Sequence, residues 1–193
     1  MTDMPNAGFL CAGKTPLALS VSVHCAYKMM EVFRSSGFEI CACHTIITEP
    51  YSTSVSEFAE KTLRHICSLC DVVITVGCDG FALSDIMPDI TEAVCDRSVA
   101  YFTSVLCGIV KPDGVSYAPS RGTAMLCGST LVMNFPADAA NSAALISALM
   151  PAVGFTVYSF SGRSARNCAE FKNFLNNSLD FHEVFKKECI VNS

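Results

Sequence analysis

Basic residues are sparse in this chain and never gather. Thirteen lysines and arginines stand against eighteen aspartates and glutamates in 193 residues, for a net charge of −5, and the basic ones are scattered singly or in pairs. No basic stripe exists, so the electrostatic footprint of a nucleic-acid binder is missing. Charge of either sign is low, at 16%, while apolar residues reach 51%, a balance that argues against disorder. The chain does not open on a basic region followed by a compact apolar block, and no stretch reaches the roughly 18 apolar residues of a membrane span, so neither a leader nor a membrane helix is expected. Internal repeats and low-complexity tracts are absent. His24, His44, His65 and His182 accompany no recognisable nucleophile motif, which leaves no Ser-His-Asp arrangement to argue.

Cysteine is what the chain has in excess, with twelve. Many of these sit inside apolar patterns, where Cys acts as a small hydrophobe, and the length and apolar content are not those of a small disulfide-stapled secreted domain. A reducing cytoplasm is the expected setting. Cys41-Ala42-Cys43-His44 and His65-Ile66-Cys67-Ser68-Leu69-Cys70 offer enough soft ligands for zinc, but at spacings foreign to the common zinc modules. Cys41 and Cys43 would share one face of a strand, and Cys67 and Cys70 would end a helix, where a thioredoxin-type pair would open one.

The length suits a single domain with a sizeable core. Residues 1–16, with Pro5, Gly8, Gly13 and Pro16, read as an arm, and 17–193 as the domain. Leu17 to Val23 reads as a first strand followed by helix to Ser36-Gly37. Phe38 to Ile47 reads as a second strand, and Val55 to Cys70 as an amphipathic helix. Val72 to Val76 is a short apolar, β-branched run that suits a strand buried on both faces. Beyond it, the pattern predicts a helix through Thr91, Val94 and Arg97, an apolar segment over Val99 to Val110, and a turn at Lys111 to Gly114. Val115 to Met125 is irregular or a short strand pair. Thr130 to Phe135 is a buried strand, Ala137 to Leu149 a helix, Gly154 to Tyr158 a further strand, and Asn167 to Leu175 and Phe181 to Glu188 closing helices. Strands alternating with helices imply a three-layer α/β/α domain around a mostly parallel sheet.

The chemistry concentrates after Val76. Gly77-Cys78-Asp79-Gly80 lets the backbone turn sharply and approach a ligand. Asp85 follows, then Pro88 at a favourable helix start. Asp85 reads either as a helix cap or as a carboxylate that holds Mg²⁺ against phosphates. The loop is neither a Walker phosphate loop nor the G-x-G-x-x-G fingerprint.

Gly77, Gly80, Asp85, Pro88 and Asp89 keep the register Gly-Gly-Thr-Gly, four residues, Asp, two residues, Pro-Asp/Glu. Ser120-Arg121-Gly122, then Gly128 and Thr130-Leu131-Val132-Met133-Asn134-Phe135-Pro136, form a second block in the same order. Together they resemble the molybdopterin-binding family, the MoaB/Mog-like proteins and the related domain of gephyrin, over about residues 17 to 155. The resemblance implies molybdenum cofactor biosynthesis: binding of molybdopterin and ATP with Mg²⁺ and adenylylation of the pterin's terminal phosphate. It implies Asp85 as the catalytic and Mg²⁺-holding residue. Gly77, Cys78, Asp79, Gly80, Ser120, Pro136 and Asp138 would be the substrate- and phosphate-binding residues. It also implies a homo-oligomer, trimer or hexamer, with no nucleic-acid or membrane partner.

Several positions depart from the family pattern. Cys78 stands for the second glycine and Asp79 for threonine, which adds a negative charge to a phosphate-facing loop. Ser20-Val21-Ser22-Val23 stands for the family's Ser-x-Ser-Asp, so the aspartate is replaced by Val23. The family's acidic residue after the second strand falls at Ser52 by strict spacing, with Glu49 nearby, and Ala137-Asp138-Ala139 replaces Gly-Ser/Asn-Pro. These departures motivate a second reading, a catalytically impaired homologue that binds a pterin or nucleotide or serves in assembly. A third reading is a hydrolase of flavin or pyridine dinucleotides.

Overall fold

The computed structural model describes residues 4–107 and 121–160. In chain order the elements are β1 (Asn6–Gly13), α1 (Pro16–Ser35), β2 (Glu39–Ile47), α2 (Thr53–Leu69), β3 (Val72–Val76), α3 (Met87–Val94), β4 (Arg97–Ser98), α4 (Ala100–Cys107), β5 (Ala124–Cys127), β6 (Thr130–Phe135) and α5 (Ala139–Phe160). The strands form one sheet in the order β2-β1-β3-β6-β5-β4. The pairs among β2, β1, β3 and β6 are parallel, and β5 pairs antiparallel with both β6 and β4. One core joins the sheet to α1, α4 and α5 through residues such as Phe9, Phe33, Phe102 and Val153. A second joins the opposite face to α2 and α3 through Leu10, Leu63, Val73 and Ile90. The three-layer reading holds. β3 and β6 are buried along their whole length, as expected of central parallel strands.

The amino-terminal reading does not hold. Residues 6–13, expected within an arm, are β1, lying between β2 and β3 at the centre of the sheet. Its glycines are packing requirements. A Cβ at Gly8 would come within 2.5 Å of Ile66 and 2.8 Å of Cys70, and one at Gly13 would overlap the backbone of Ala18 and Leu19. Residues 17–23, expected as a strand, begin α1. Thr15 caps that helix by accepting from Ala18 N, and Pro16 occupies its first turn, a strong start signal. The buried stripe Ser22, Cys25, Ala26, Met29, Met30 and Phe33 has the spacing of one helical face. Gly154 to Tyr158, expected as a strand, belongs to α5, which runs on through Pro151. Arg97 lies in β4, beyond α3. The turn at 111–114 and the helices expected over 167–175 and 181–188 lie outside the described residues.

The 22-residue α5 holds a window of mean hydropathy 1.6, long and apolar enough by length and composition alone to cross a membrane, a test that a buried core helix also passes. Its Ile146, Leu149, Met150, Val153 and Val157 belong to the core shared with α1.

β2 carries an irregularity that redistributes the cysteines. Ala7 pairs with Ile40 but Gly8 with Ala42, so Cys41 is the extra residue of a bulge, which breaks the period of two. Cys41 and Cys43 therefore do not share a face. The Cys41 Sγ meets Cys70 Sγ at 2.7 Å, whereas Cys43 turns to Cys11, and a hydrogen bond between those two lowers the Cys43 pKa and raises that of Cys11. His44 meets His65 edge to face. Among the described residues no group of three His, Cys, Asp or Glu side chains is placed to hold a metal ion.

Oxidised glutathione is expected to join Cys41 and Cys70. The exposed Cys41 sulfur exchanges into a mixed disulfide, and Cys70 then displaces the second glutathione, so two thiols become one disulfide as one glutathione disulfide becomes two thiols. The linkage spans 29 residues, worth about 3.6 kcal/mol by loop-closure entropy. Non-reduced peptide mass spectrometry reads the link, and a higher melting temperature reads its effect. Unlinked peptides after full equilibration would contradict the expectation.

Candidate functional site

The connection after β1 leads outward to β2, and the chain then returns across β1 to β3 on the other side. Such a reversal leaves a crevice at the carboxyl ends of the two diverging strands, the usual ligand position in open α/β sheets. A cleft of about 290 Å³ opens there. Gly13 and Lys14 line it from the end of β1, Ser22 from α1, Gly77, Cys78 and Asp79 from the loop after β3, and Ala137 from the loop after β6.

The glycine loop is shaped by close approach. Gly77 has φ +86° and Cys78 φ +54°, the left-handed region that favours glycine. A Cβ on Gly77 would overlap the Ala12 carbonyl oxygen and Ser22 Oγ, and Ser22 Oγ is itself held by a 2.7 Å bond to that carbonyl. Cys78 tolerates its conformation with a buried side chain whose Sγ lies 3.4 Å from Thr48 Oγ1. Burial pushes its thiol pKa up, so it is no ready nucleophile. Gly77→Ala is expected to lower stability by about 2 kcal/mol, combining backbone strain with collision. Cys78→Gly should stay within about 1 kcal/mol, because relief of strain offsets lost burial. Urea titrations of the two variants check the contrast, and equal losses would contradict it.

Asp85 sits beneath this loop, 6% exposed. It does not cap α3, whose N-cap position is Ile86 with no side-chain bond. Asp85 Oδ2 accepts from Ala82 N at 2.9 Å, and a Cβ on Gly80 would fall 2.6 Å from the same oxygen. Lys14 Nζ lies 2.9 Å from Oδ1 and 3.0 Å from Oδ2. The hydrogen bond to Asp85 raises the Lys14 pKa above the ordinary lysine value. A cation with a raised pKa keeps its contribution through the neutral range and loses it only in strong alkali.

A resident magnesium ion would need those same carboxylate oxygens at about 2.1 Å. With an ammonium on both of them and no second carboxylate grouped with Asp85 in a three-ligand set, the described residues do not fit it.

Arg121 ties the loop to the start of α3. Its Nε donates to Gly80 O at 2.8 Å, Nη2 to Asp85 O at 2.5 Å, and Nη1 and Nη2 to the Asp89 carboxylate at 2.7 and 2.9 Å. Its main-chain N–H donates to Asp79 O at 2.9 Å. Glu49 lies in the loop after β2 and accepts from Ser84 Oγ at 2.9 Å, so Glu49 is the carboxylate beside the glycine loop. Ser52 instead caps α2 by accepting from Val55 N. Asp138 accepts from Asn141 N and Nδ2 at 3.2 and 3.1 Å, as a residue at a helix start does. The Pro136 carbonyl accepts from Ser142 Oγ at 2.9 Å. Ser120 lies outside the described residues. Lys14 was not singled out from the sequence, and Arg121 was read only as part of the Ser-Arg motif, with no role in the site. The Ser-Arg and Pro-Asp motifs held the signal for Arg121 with Asp89, and a correctly placed β1 would have held it for Lys14.

No family model matches the chain. It is 30% identical over 107 residues to the molybdopterin adenylyltransferase of Helicobacter pylori strain 26695, a match covering 52% of this chain and 58% of that protein. The chain thus spans little more than half the length of the curated relatives it matches. Its fold superposes on the molybdopterin biosynthesis enzyme MoaB of Thermus thermophilus with a TM-score of 0.70 at 22% identity, over 82% of this chain and 98% of that one. A molybdopterin biosynthesis protein of Mycobacterium abscessus gives 0.68 at 20% identity, over 82% and 97%. In sequence the chain is similar to a molybdopterin adenylyltransferase, and in fold to the MoaB proteins.

The MoaB/Mog-like register moves once β1 is placed. The residues closing the first strand are Cys11-Ala12-Gly13, followed by Lys14, not Ser20 to Val23, which lie in α1.

Proposed function

We propose that this chain acts in molybdenum cofactor biosynthesis, binding molybdopterin in the cleft between β1 and β3 and transferring an adenylyl group to it from ATP. The observation that carries the reading is the convergence on one cleft of the β1 end and the glycine loop, with Lys14 and Asp85 paired at its edge. Molybdopterin carries a terminal phosphate. The open loop backbone gives that phosphate room to approach, and Lys14 gives it a charge. Asp85 fixes the lysine, and Arg121 fixes the loop. Catalysis in such a site is positioning and charge neutralisation, with the nucleophilic phosphate oxygen supplied by the substrate itself. The resemblance implies magnesium. Since Asp85 offers that ion no open oxygen, no step here runs through it. A homo-oligomer, trimer or hexamer, is part of the proposal, supported by exposed Leu17, Phe81, Leu83 and Phe155, and light scattering on the purified chain tests it. A cytoplasmic location accords with the ten described cysteines, all free.

A second reading, binding without turnover, is favoured by one observation, the Lys14 ammonium lying on both oxygens of the Asp85 carboxylate to which the resemblance assigns magnesium. Incubation with molybdopterin and radiolabelled ATP separates the two. Adenylated product that falls at least a hundredfold in Asp85→Asn supports transfer. Bound molybdopterin with no product supports the second reading. A folded chain that neither binds nor adenylates molybdopterin overturns both.

A further inference from the structure

Three carboxylates stand around the glycine loop. Asp85 lies beneath it, Asp79 in it, and Glu49 beside it through Ser84. An anionic ligand entering this cleft meets a surplus of negative charge unless a cation intervenes. Elsewhere a divalent ion does this work between paired carboxylates. In this chain the position that faces Asp85 from the end of β1 is Lys14, and its Nζ spans both Asp85 oxygens at 2.9 and 3.0 Å. The lysine side chain is 35% exposed and the aspartate's 8%, so the pair presents its cationic end to the cleft that Lys14 lines. An ammonium has three donors. Two meet the carboxylate, and the third remains for the cleft. Lysine binds phosphate well as a compact point charge.

We infer that Lys14 is the resident cation of this site, standing on Asp85 where a divalent ion would otherwise sit, and that the chain binds its ligand's phosphate without magnesium. The inference rests on the molybdopterin reading only for the identity of that ligand. A like-charged pair at positions 14 and 85 would need an external cation between its members. A lysine at position 14 builds that cation into the chain. The ammonium and a divalent ion compete for the same two oxygens, so each excludes the other.

Mn²⁺, a paramagnetic probe for divalent ions, tests this on the full chain with no ligand present. Titration followed by electron paramagnetic resonance is expected to find no saturable Mn²⁺ site in the wild type. Lys14→Asp should gain a saturable Mn²⁺ site, and Lys14→Asp combined with Asp85→Asn should lose that site. In parallel, the wild type is expected to bind molybdopterin within twofold equally in EDTA and in MgCl₂, and Lys14→Ala to weaken binding at least tenfold in EDTA. A stoichiometric Mn²⁺ site in the wild type that vanishes in Asp85→Asn overturns the inference, as does molybdopterin binding that EDTA abolishes. The wild-type titrations decide even if a variant fails to fold, a point circular dichroism settles. If molybdopterin is not bound under any condition, the functional reading and the phosphate half of the inference fall together, while the Mn²⁺ titration still decides which cation Asp85 holds.

Discussion

Asn134→Leu should lower stability by about 3 kcal/mol. Asn134 lies on β6 directly opposite Thr75 of β3, facing α3. Its Nδ2 donates to Thr75 Oγ1 at 2.5 Å and to Thr91 Oγ1 at 2.9 Å, and its Oδ1 accepts from Thr123 N at 3.3 Å. Thr91 passes the chain on by donating to Met87 O at 2.9 Å. Thr75, Thr91 and Asn134 are at most 1% exposed, so no water replaces a lost partner. Leucine matches the volume but orphans the Thr123 main-chain donor and strips the Thr75 hydroxyl of its donor, while Thr91 keeps only its bond to Met87 O, and orphaned buried groups cost more than the bonds themselves contribute. The same logic gives a control. Adding Thr75→Val to Asn134→Leu removes one orphan along with its partner, and the double variant should recover part of the loss. Denaturant unfolding of the cycle measures this. Strict additivity would mean that the network is not coupled.

The Asn134 network also shows what the sequence could and could not convey. β3 and β6 were legible because central parallel strands need apolar residues on both faces, and Val72 to Val76 and Thr130 to Phe135 are nearly continuous runs. β1 was not. Its Gly8 and Gly13 read as loop punctuation, yet each is glycine because a neighbour fills the space of a Cβ, a fact that exists only after the sheet is built. Leu17 to Val23 alternates like a strand, but the start signal at Thr15-Pro16 and the helical stripe from Ser22 to Phe33 prevail, because α1 is long enough to bury that stripe against α5 and the sheet. The bulge at Cys41 leaves no local signature, so the pairing of Cys41 with Cys70 could not be foreseen. In the site, the glycine register placed Asp85 correctly beside the loop. What it could not supply was the partner. Lys14 lies 71 residues away in the chain, and it meets Asp85 only because β1 and β3 are neighbours.

Arg121→Ala is expected to weaken molybdopterin binding on the proposed reading by about a hundredfold and to lower stability by about 2 kcal/mol. The main-chain N–H of residue 121 would survive the change and keep its bond to Asp79 O. The lost guanidinium leaves the carbonyls of Gly80 and Asp85 without their donor and frees the Asp89 carboxylate at the start of α3. Those two carbonyls bracket the segment 80–85, which carries the exposed Phe81 and Leu83 and ends on the carboxylate that holds Lys14. An unclamped segment lets Asp85 drift, and a shift of about 1 Å in a positioning group is enough to cost two orders of magnitude. Arg121→Lys should not restore binding. One ammonium cannot reach two carbonyls and both oxygens of Asp89, because that set of contacts needs a planar fork. A purely electrostatic role would predict the opposite, since Lys keeps the charge. Titrating molybdopterin into the two variants, with melting temperatures measured alongside, therefore separates geometry from charge. Binding restored by lysine would mean that Arg121 serves the ligand through its field, and that the loop holds its shape unaided.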